Sequence, residues 1–194
     1  MIDDPHVQLM LRFQGGDEGA FRQLFEENKT ALLNFIYRFC LDRRVAEELS
    51  QEVFLRVYKT ARTYRPEAMF STWLYRIATN ICLNEMRSGK YKYERELKSL
   101  DGGDGGRFLE AIDAHTLVKT DEKIAQEERF QAVRKALRAL PEKQRMALIC
   151  SVYDQLSYKE IAERLGCSEA AVKSIIHRSK LALRDILKKG FHKK

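Results

Sequence analysis

The chain has 194 residues, of which 44% are hydrophobic and 32% charged, and its formal net charge is +7. This length suits one or two small domains, and so apolar a composition excludes a chain that is disordered throughout. No apolar run approaches the roughly 18 residues of a membrane span, and the acidic start lacks the features of a secretion signal. We therefore expect a protein that stays in the cytoplasm without direct membrane insertion.

The first half of the chain has a helical pattern. Apolar side chains recur at intervals of three and four residues over 21–39, 45–58 and 73–81, which is the spacing of amphipathic helices. The turn Tyr64-Arg65-Pro66 separates the last two stretches. We predict one helical bundle within residues 1–93.

The composition changes after Tyr93. Residues 94–127 contain five Lys and Arg against nine Asp and Glu, a net charge of −4. Within them, Asp101–Gly106 holds four glycines and is unsuited to a helix. We predict a flexible acidic linker over 94–127.

The last part of the chain is its basic part. Residues 128–194 contain 16 Lys and Arg against seven Asp and Glu. Such a balance favours a polyanionic partner, although a solvated surface with a basic bias would look the same. Charge alone leaves the two readings open.

A helix-turn-helix motif is predicted over residues 156–183. Ser157 followed by Glu160 is a capping box that begins a helix. Gly166 supplies the left-handed turn at the end of that helix, and Ser168 caps the next one.

The second helix of this motif is predicted to expose small, hydroxyl and basic side chains at spacings of three and four. Such a face fits the major groove of DNA, whereas a plain helical hairpin needs no particular exposed face. The predicted DNA-binding residues are Ala170, Lys173, Ser174, His177, Arg178 and Lys180. His177 has no His or Cys partner at a metal-ligand spacing, and the four cysteines form no CxxC pair. We therefore predict no metal and reduced, mostly buried cysteines.

Three segments together resemble a known family. Ala46–Tyr58 resembles the polymerase-binding helix of bacterial sigma factors, and Phe70–Asn80 resembles their promoter-opening helix. The C-terminal motif is similar to the domain that reads the upstream promoter element. Their order and spacing match the extracytoplasmic-function group, the short two-domain members of the main sigma factor family. The resemblance implies an all-α fold with sigma region 2 in 1–93 and sigma region 4 in 128–194, joined by the linker.

The resemblance also implies how the chain meets the polymerase. The first segment should dock on the clamp helices of the beta-prime subunit of core RNA polymerase, and the beta flap is the second expected contact. A solvated helix face is the alternative interpretation of the same acidic residues. The predicted polymerase-binding residues are Glu48, Leu49, Gln51, Glu52 and Leu55.

The promoter-opening segment has a physical logic of its own. Bases that leave the duplex need aromatic faces to replace the lost stacking, and polar groups to meet their edges. By resemblance, the loop Arg65–Ser71 holds a flipped base of the −10 element. An aromatic cluster at helical spacing can instead belong to a core, and for Trp73 and Leu74 we favour that interpretation. The residues predicted to bind the −10 element are Tyr64, Arg65, Phe70, Thr72, Trp73, Tyr75, Arg76, Asn80 and Asn84.

The acidic linker has to span the distance between the two promoter elements, roughly 70 Å. Its 34 residues reach at most about 110 Å when fully extended, but a free coil averages only about 30 Å. We expect the linker to lie extended along a basic path on the polymerase. A merely soluble tether is the alternative.

Two other classes of function compete with the sigma factor interpretation. An ordinary helix-turn-helix regulator would have a ligand or dimerisation domain in its N-terminal half. An enzyme acting on nucleic acid would need a phosphate-binding glycine motif, a metal cluster or a nucleophile with its base, and the sequence offers none of these patterns. The sequence therefore predicts a promoter-specific initiation factor without enzymatic activity or cofactor, controlled, as the resemblance implies, by an anti-sigma factor.

Overall fold

All regular secondary structure in the described part of the chain is helical, which confirms the predicted all-α fold. The computed structural model describes residues 4–88, 131–152 and 156–191. The predicted linker and both predicted domain boundaries, near residues 93 and 128, lie outside these residues. The described residues form two compact units, one with 4–86 and Ala162–Cys167, the other with 87–88, 131–152, 156–161 and 168–191.

Within residues 4–88 the N-terminal bundle has four α-helices and one short 3-10 helix. Their bounds are α1 Pro5–Gln14, α2 Glu18–Cys40, α3 Arg43–Thr60, the 3-10 turn Ala61–Thr63 and α4 Phe70–Arg87. An aspartate precedes each of the first three helices and accepts a backbone N–H of the first turn through its side chain. These caps are Asp4, Asp17 and Asp42.

The core of this bundle is built from the apolar stripes that the sequence predicts. Helices α2, α3 and α4 contribute fully buried side chains at helical spacing, and complete burial of one such large side chain stabilises the fold by about 1.5–3 kcal/mol. Examples are Phe35, Phe39, Val53, Val57 and Leu74. Cys40, Cys82 and Cys150 are buried, as predicted, and Cys167 is half-buried.

The C-terminal part begins in the described residues with a helix over 131–139, here α5. It continues with α6 Glu142–Val152, α7 Tyr158–Leu165 and α8 Glu169–Phe191. Helix α6 packs against α8, where the buried Ser179 hydroxyl lies 3.2 Å from the carbonyl oxygen of Gln144. The same hydroxyl lies 2.7 Å from the carbonyl oxygen of Ile175 on α8 itself. No helix in the described ranges has the length and apolarity that a membrane crossing needs.

Candidate functional site

The helix-turn-helix forms at the residues that predict it. The backbone N–H of Ser157 donates to Glu160 Oε2 at 2.8 Å, and the N–H of Glu160 donates to Ser157 Oγ at 3.3 Å. Gly166 has a φ of +61°. Ser168 Oγ accepts the N–H of Ala171 at 3.2 Å. The capping box, the glycine turn and the second cap are all confirmed.

Helix α8 turns one face inward and one outward. Val172 and Ile176 are 0% and 3% exposed, and they form the inner face. The six residues of the predicted DNA-binding face are all exposed: Ala170, Lys173, Ser174, His177, Arg178 and Lys180. The Nε of Arg178 donates to the carbonyl oxygen of Ser174 at 3.3 Å. The side chains that could read or grip DNA therefore share one accessible face.

Gly166 is expected to be a stability determinant of this motif. A β-carbon added there would meet no atom within 4 Å, so the cost of a substitution comes from the left-handed backbone alone. Gly166→Ala should lower the free energy of unfolding by about 1–2 kcal/mol. Gly166→Asn should lower it less, because asparagine tolerates this conformation. Thermal unfolding measures both, and equal midpoints for Gly166→Ala and the unsubstituted chain would contradict the argument.

Helix α3 exposes an acidic and polar strip. Glu48, Gln51, Glu52 and Leu55 are exposed, and Leu55 is an apolar side chain with 47% exposure. Leu49, which belongs to the same predicted set, is only 7% exposed and packs in the core. The accessible strip therefore has four of the five predicted polymerase-binding residues.

Next to this strip lies an aromatic residue that the sequence reasoning did not select. Tyr58 is 44% exposed, and its ring centroid lies 5.1 Å from that of Phe13 and 5.2 Å from that of Phe21. Its hydroxyl donates to Glu18 Oε1 at 3.1 Å, and this hydrogen bond raises the pKa of Tyr58. The position was detectable, since Tyr58 follows Leu55 by three residues on one helix.

The predicted −10 residues separate into buried and accessible groups. Tyr64 and Phe70 are 5% and 0% exposed, and their ring centroids lie 4.8 Å and 5.9 Å from that of Trp73. Thr72, Trp73 and Tyr75 are half-buried, and Arg65, Arg76, Asn80 and Asn84 are exposed. Of the three clustered rings, Tyr64 and Phe70 therefore belong to the core, and Trp73 has an accessible surface.

The hydroxyl of Tyr64 is a buried polar group without a hydrogen-bond partner among the described residues. Burial raises the pKa of Tyr64, and the charge of Asp4 adds to this effect. The hydroxyl is therefore protonated at neutral pH but unsatisfied, which is an unfavourable arrangement.

Tyr64→Phe is expected to leave the fold intact and to raise the free energy of unfolding by about 1 kcal/mol, because it removes this unsatisfied group. Promoter opening should be unchanged, since the ring packing against Trp73 stays. Thermal unfolding and a transcription assay on the same preparation check the two parts. A marked loss of transcription with an unchanged unfolding midpoint would show that the hydroxyl contacts DNA instead.

Two family models match the chain. Residues 24–91 match the model described as Sigma-70 region 2, and residues 130–183 match Sigma-70, region 4. Together these matches cover more than half of the chain. The first contains the α3 strip and all of α4, and the second contains the predicted DNA-binding face of α8.

Curated relatives match along most of their length. The RNA polymerase sigma-H factor of Pseudomonas aeruginosa is 31% identical over 185 residues, which cover 94% of each chain. The ECF RNA polymerase sigma factor SigW of Bacillus subtilis is 32% identical over 173 residues, covering 89% of this chain and 91% of SigW.

Two solved structures share the fold. CnrH, in complex with the cytosolic domain of CnrY, superposes with a TM-score of 0.64 at 20% identity and covers 93% of this chain and 96% of its own. The sigma factor RpoE of Bartonella quintana, in complex with the anti-sigma factor NepR, has a TM-score of 0.61 at 23% identity and covers 87% and 96%.

Proposed function

The chain belongs to the sigma-70 family of RNA polymerase sigma factors, in its extracytoplasmic-function group, and we propose how its residues divide the work of that family. It binds core RNA polymerase and directs promoter-specific transcription initiation. We assign polymerase binding and the opening of the −10 element to residues 1–93. Recognition of the −35 element falls to 128–194, and 94–127 link the two.

The −35 element is read in duplex form by the exposed face of α8. Arg178 and Lys173 supply donors that suit the guanine edge in the major groove. Ala170 and Ser174 are small enough to let the backbone approach the bases, and Lys180 holds a phosphate. Three basic side chains and His177 on one face support a purine-containing element.

The −10 element is opened by α4 and the loop before it. We assign base stacking to the accessible side of Trp73 and backbone or base contacts to Arg65, Arg76, Asn80 and Asn84. Thr72 and Tyr75, half-buried, flank this surface. Tyr64 and Phe70 hold the Trp73 ring in place, because both are buried and pack against it.

The polymerase is bound by the α3 strip. Glu48, Gln51 and Glu52 suit a basic partner helix such as the beta-prime clamp helices, and Leu55 supplies an apolar anchor. The C-terminal part meets the beta flap. We propose that the protein is an initiation factor rather than a catalyst. It acts together with the polymerase in the cytoplasm.

We further propose control by an anti-sigma factor that covers the α3 strip and the α8 face. Both surfaces are exposed in the chain alone, so a single inhibitor could block polymerase and DNA together. Proteins of the same fold have been solved in complexes with such partners. Titration of the chain with a candidate inhibitor should prevent core binding and −35 binding at the same stoichiometry.

The observation that carries the proposal is that one chain joins an accessible acidic strip on α3 with an accessible basic face on α8. The decisive experiment is run-off transcription with core polymerase over a promoter library. We expect transcripts from a subset of promoters that share two elements. Failure of the folded, inhibitor-free chain to associate with core polymerase at low salt would overturn the proposal.

A further inference from the structure

Helix α1 makes polar contacts with both ends of the loop that precedes α4. It lies outside the region 2 match, which begins at residue 24, and contains none of the site residues assigned above. Yet one side chain just before α1 and one at its end bond to a segment some 50 to 66 positions away in sequence. Through these bonds α1 is attached to both ends of the loop that belongs to the proposed promoter-opening surface.

Asp4 divides its two carboxylate oxygens between two helices. Oδ1 accepts the N–H of His6 at 2.9 Å and so caps α1. Oδ2 accepts the N–H of Phe70, the first residue of α4, at 2.7 Å. Asp4 is 5% exposed and its bond to Phe70 is buried, so this charge-assisted bond is shielded from water and correspondingly strong.

Helix α4 needs this second bond because its own sequence supplies no cap. The residue before it is Met69, whose side chain carries no oxygen to accept a backbone N–H. The first turn of α4 also contains no acidic residue. The carboxylate of Asp4 therefore supplies both the missing acceptor and the negative charge that favours a helix N-terminus.

Gln14, the last residue of α1, holds the other end of the loop. Its Nε2 lies 3.0 Å from the carbonyl oxygen of Ala61, 3.1 Å from that of Arg62 and 3.2 Å from that of Tyr64. One amide group thus contacts the 3-10 turn and the first residue of the loop. Gln14 is itself exposed, whereas two of its acceptors belong to the buried residues Ala61 and Tyr64.

Between the two attachments the loop is accessible. Residues 65–69 are all exposed, and Met69 is 56% exposed. A ten-residue helix is a rigid spacer of about 15 Å, so it fixes how far apart the ends of the loop lie. A loop held in this way loses less conformational freedom when it binds than a loose one would.

We propose that α1 is a brace that positions the loop Tyr64–Met69 for the −10 element, with Asp4 and Gln14 as its positioning residues. The inference rests on the assignment of this loop to −10 binding. Because a displaced loop would meet its base in the wrong place, both the strength and the selectivity of −10 binding depend on the brace.

Two nearly isosteric variants remove the attachments one at a time. Asp4→Asn keeps the cap of α1, since asparagine caps helices as well as aspartate does, but it places an amide or an uncharged oxygen against the N–H of Phe70. Gln14→Glu replaces the donor by a carboxylate that faces three carbonyl oxygens. Arg12→Ala is the matched control, because the side chain that it removes lies on α1 and forms an exposed ion pair with Asp17, the cap of α2.

The probe is a non-template-strand oligonucleotide that covers the −10 element of a promoter selected by run-off transcription. Holoenzyme made with each variant is tested for binding of this strand and of strands with one −10 base changed. We expect Asp4→Asn and Gln14→Glu to bind the selected strand about tenfold more weakly. They should also lose most of the difference between selected and changed strands, whereas Arg12→Ala should behave as the unsubstituted chain.

The selectivity ratio separates positioning from simple destabilisation. A smaller folded fraction would weaken binding to every strand equally and leave the ratio unchanged. An unchanged ratio in both Asp4→Asn and Gln14→Glu would therefore overturn the brace. Absence of any −10 selectivity in the unsubstituted holoenzyme would instead overturn the assignment of the loop, and the brace with it.

Discussion

Holoenzyme that carries Arg178→Ala should bind a −35 duplex about ten- to a hundredfold more weakly than the unsubstituted holoenzyme. A bidentate contact between arginine and guanine contributes about 1–3 kcal/mol of discrimination, and each 1.4 kcal/mol is about tenfold in affinity. Arg178 lies on the exposed face of α8, so its loss leaves the buried face intact. Fluorescence anisotropy with a labelled −35 duplex measures the affinity at several salt concentrations.

The matched change is Lys189→Ala, which removes one exposed positive charge from the last turn of the same helix. It should change the affinity little. A lost phosphate contact lowers the affinity for every DNA sequence, whereas a lost base contact lowers it for one sequence. Lys180→Ala tests the first case, because Lys180 is assigned to a phosphate. That variant should weaken binding to all sequences alike and reduce the salt slope by about 0.9. Equal losses for Arg178→Ala and Lys189→Ala would show that only net charge matters.

The helix-turn-helix could be predicted closely because its determinants are local. Its caps join residues only three positions apart in the sequence, and its turn depends on the backbone of one glycine. The residues concerned are Ser157, Glu160, Gly166 and Ser168. The exposed side of α8 follows from the spacing of Val172 and Ile176, since buried positions on a helix dictate which positions face outward. Local chemistry thus determines both the motif and the face that α8 exposes.

The surface proposed to bind the −10 element could be predicted only in part. Aromatic residues at helical spacing suit a core and a base-stacking face equally well, and the sequence could not show that Tyr64 and Phe70 lie beneath Trp73. The hydrogen bonds of Asp4 and Gln14 to the loop before α4 could not be predicted from the sequence. A bond between positions 4 and 70 depends on how helices pack, and no motif or periodicity encodes it.

A charge reversal on α3 should have the second large effect. Glu52→Lys is expected to reduce the affinity for core polymerase about a hundredfold, since a like charge set against a basic partner costs several kcal/mol, of order 3. Glu52 is exposed, so the stability of the chain should change by no more than about 0.5 kcal/mol. Binding of the labelled chain to core polymerase measures the effect, with thermal unfolding as the check on the fold.

The control places the same charge change elsewhere in the bundle. Glu26→Lys alters an exposed residue of α2 whose ion pair is with Lys29 on its own helix, and it should bind core polymerase nearly normally. Leu55→Ala tests the apolar part of the α3 strip and should weaken binding about tenfold, because an exposed leucine can be buried at the interface. Its effect should persist at high salt, whereas that of Glu52→Lys should shrink as salt screens the charges. If Glu26→Lys and Glu52→Lys weakened binding equally, α3 would have no privileged role, and the docking surface would have to be sought on another face of the bundle.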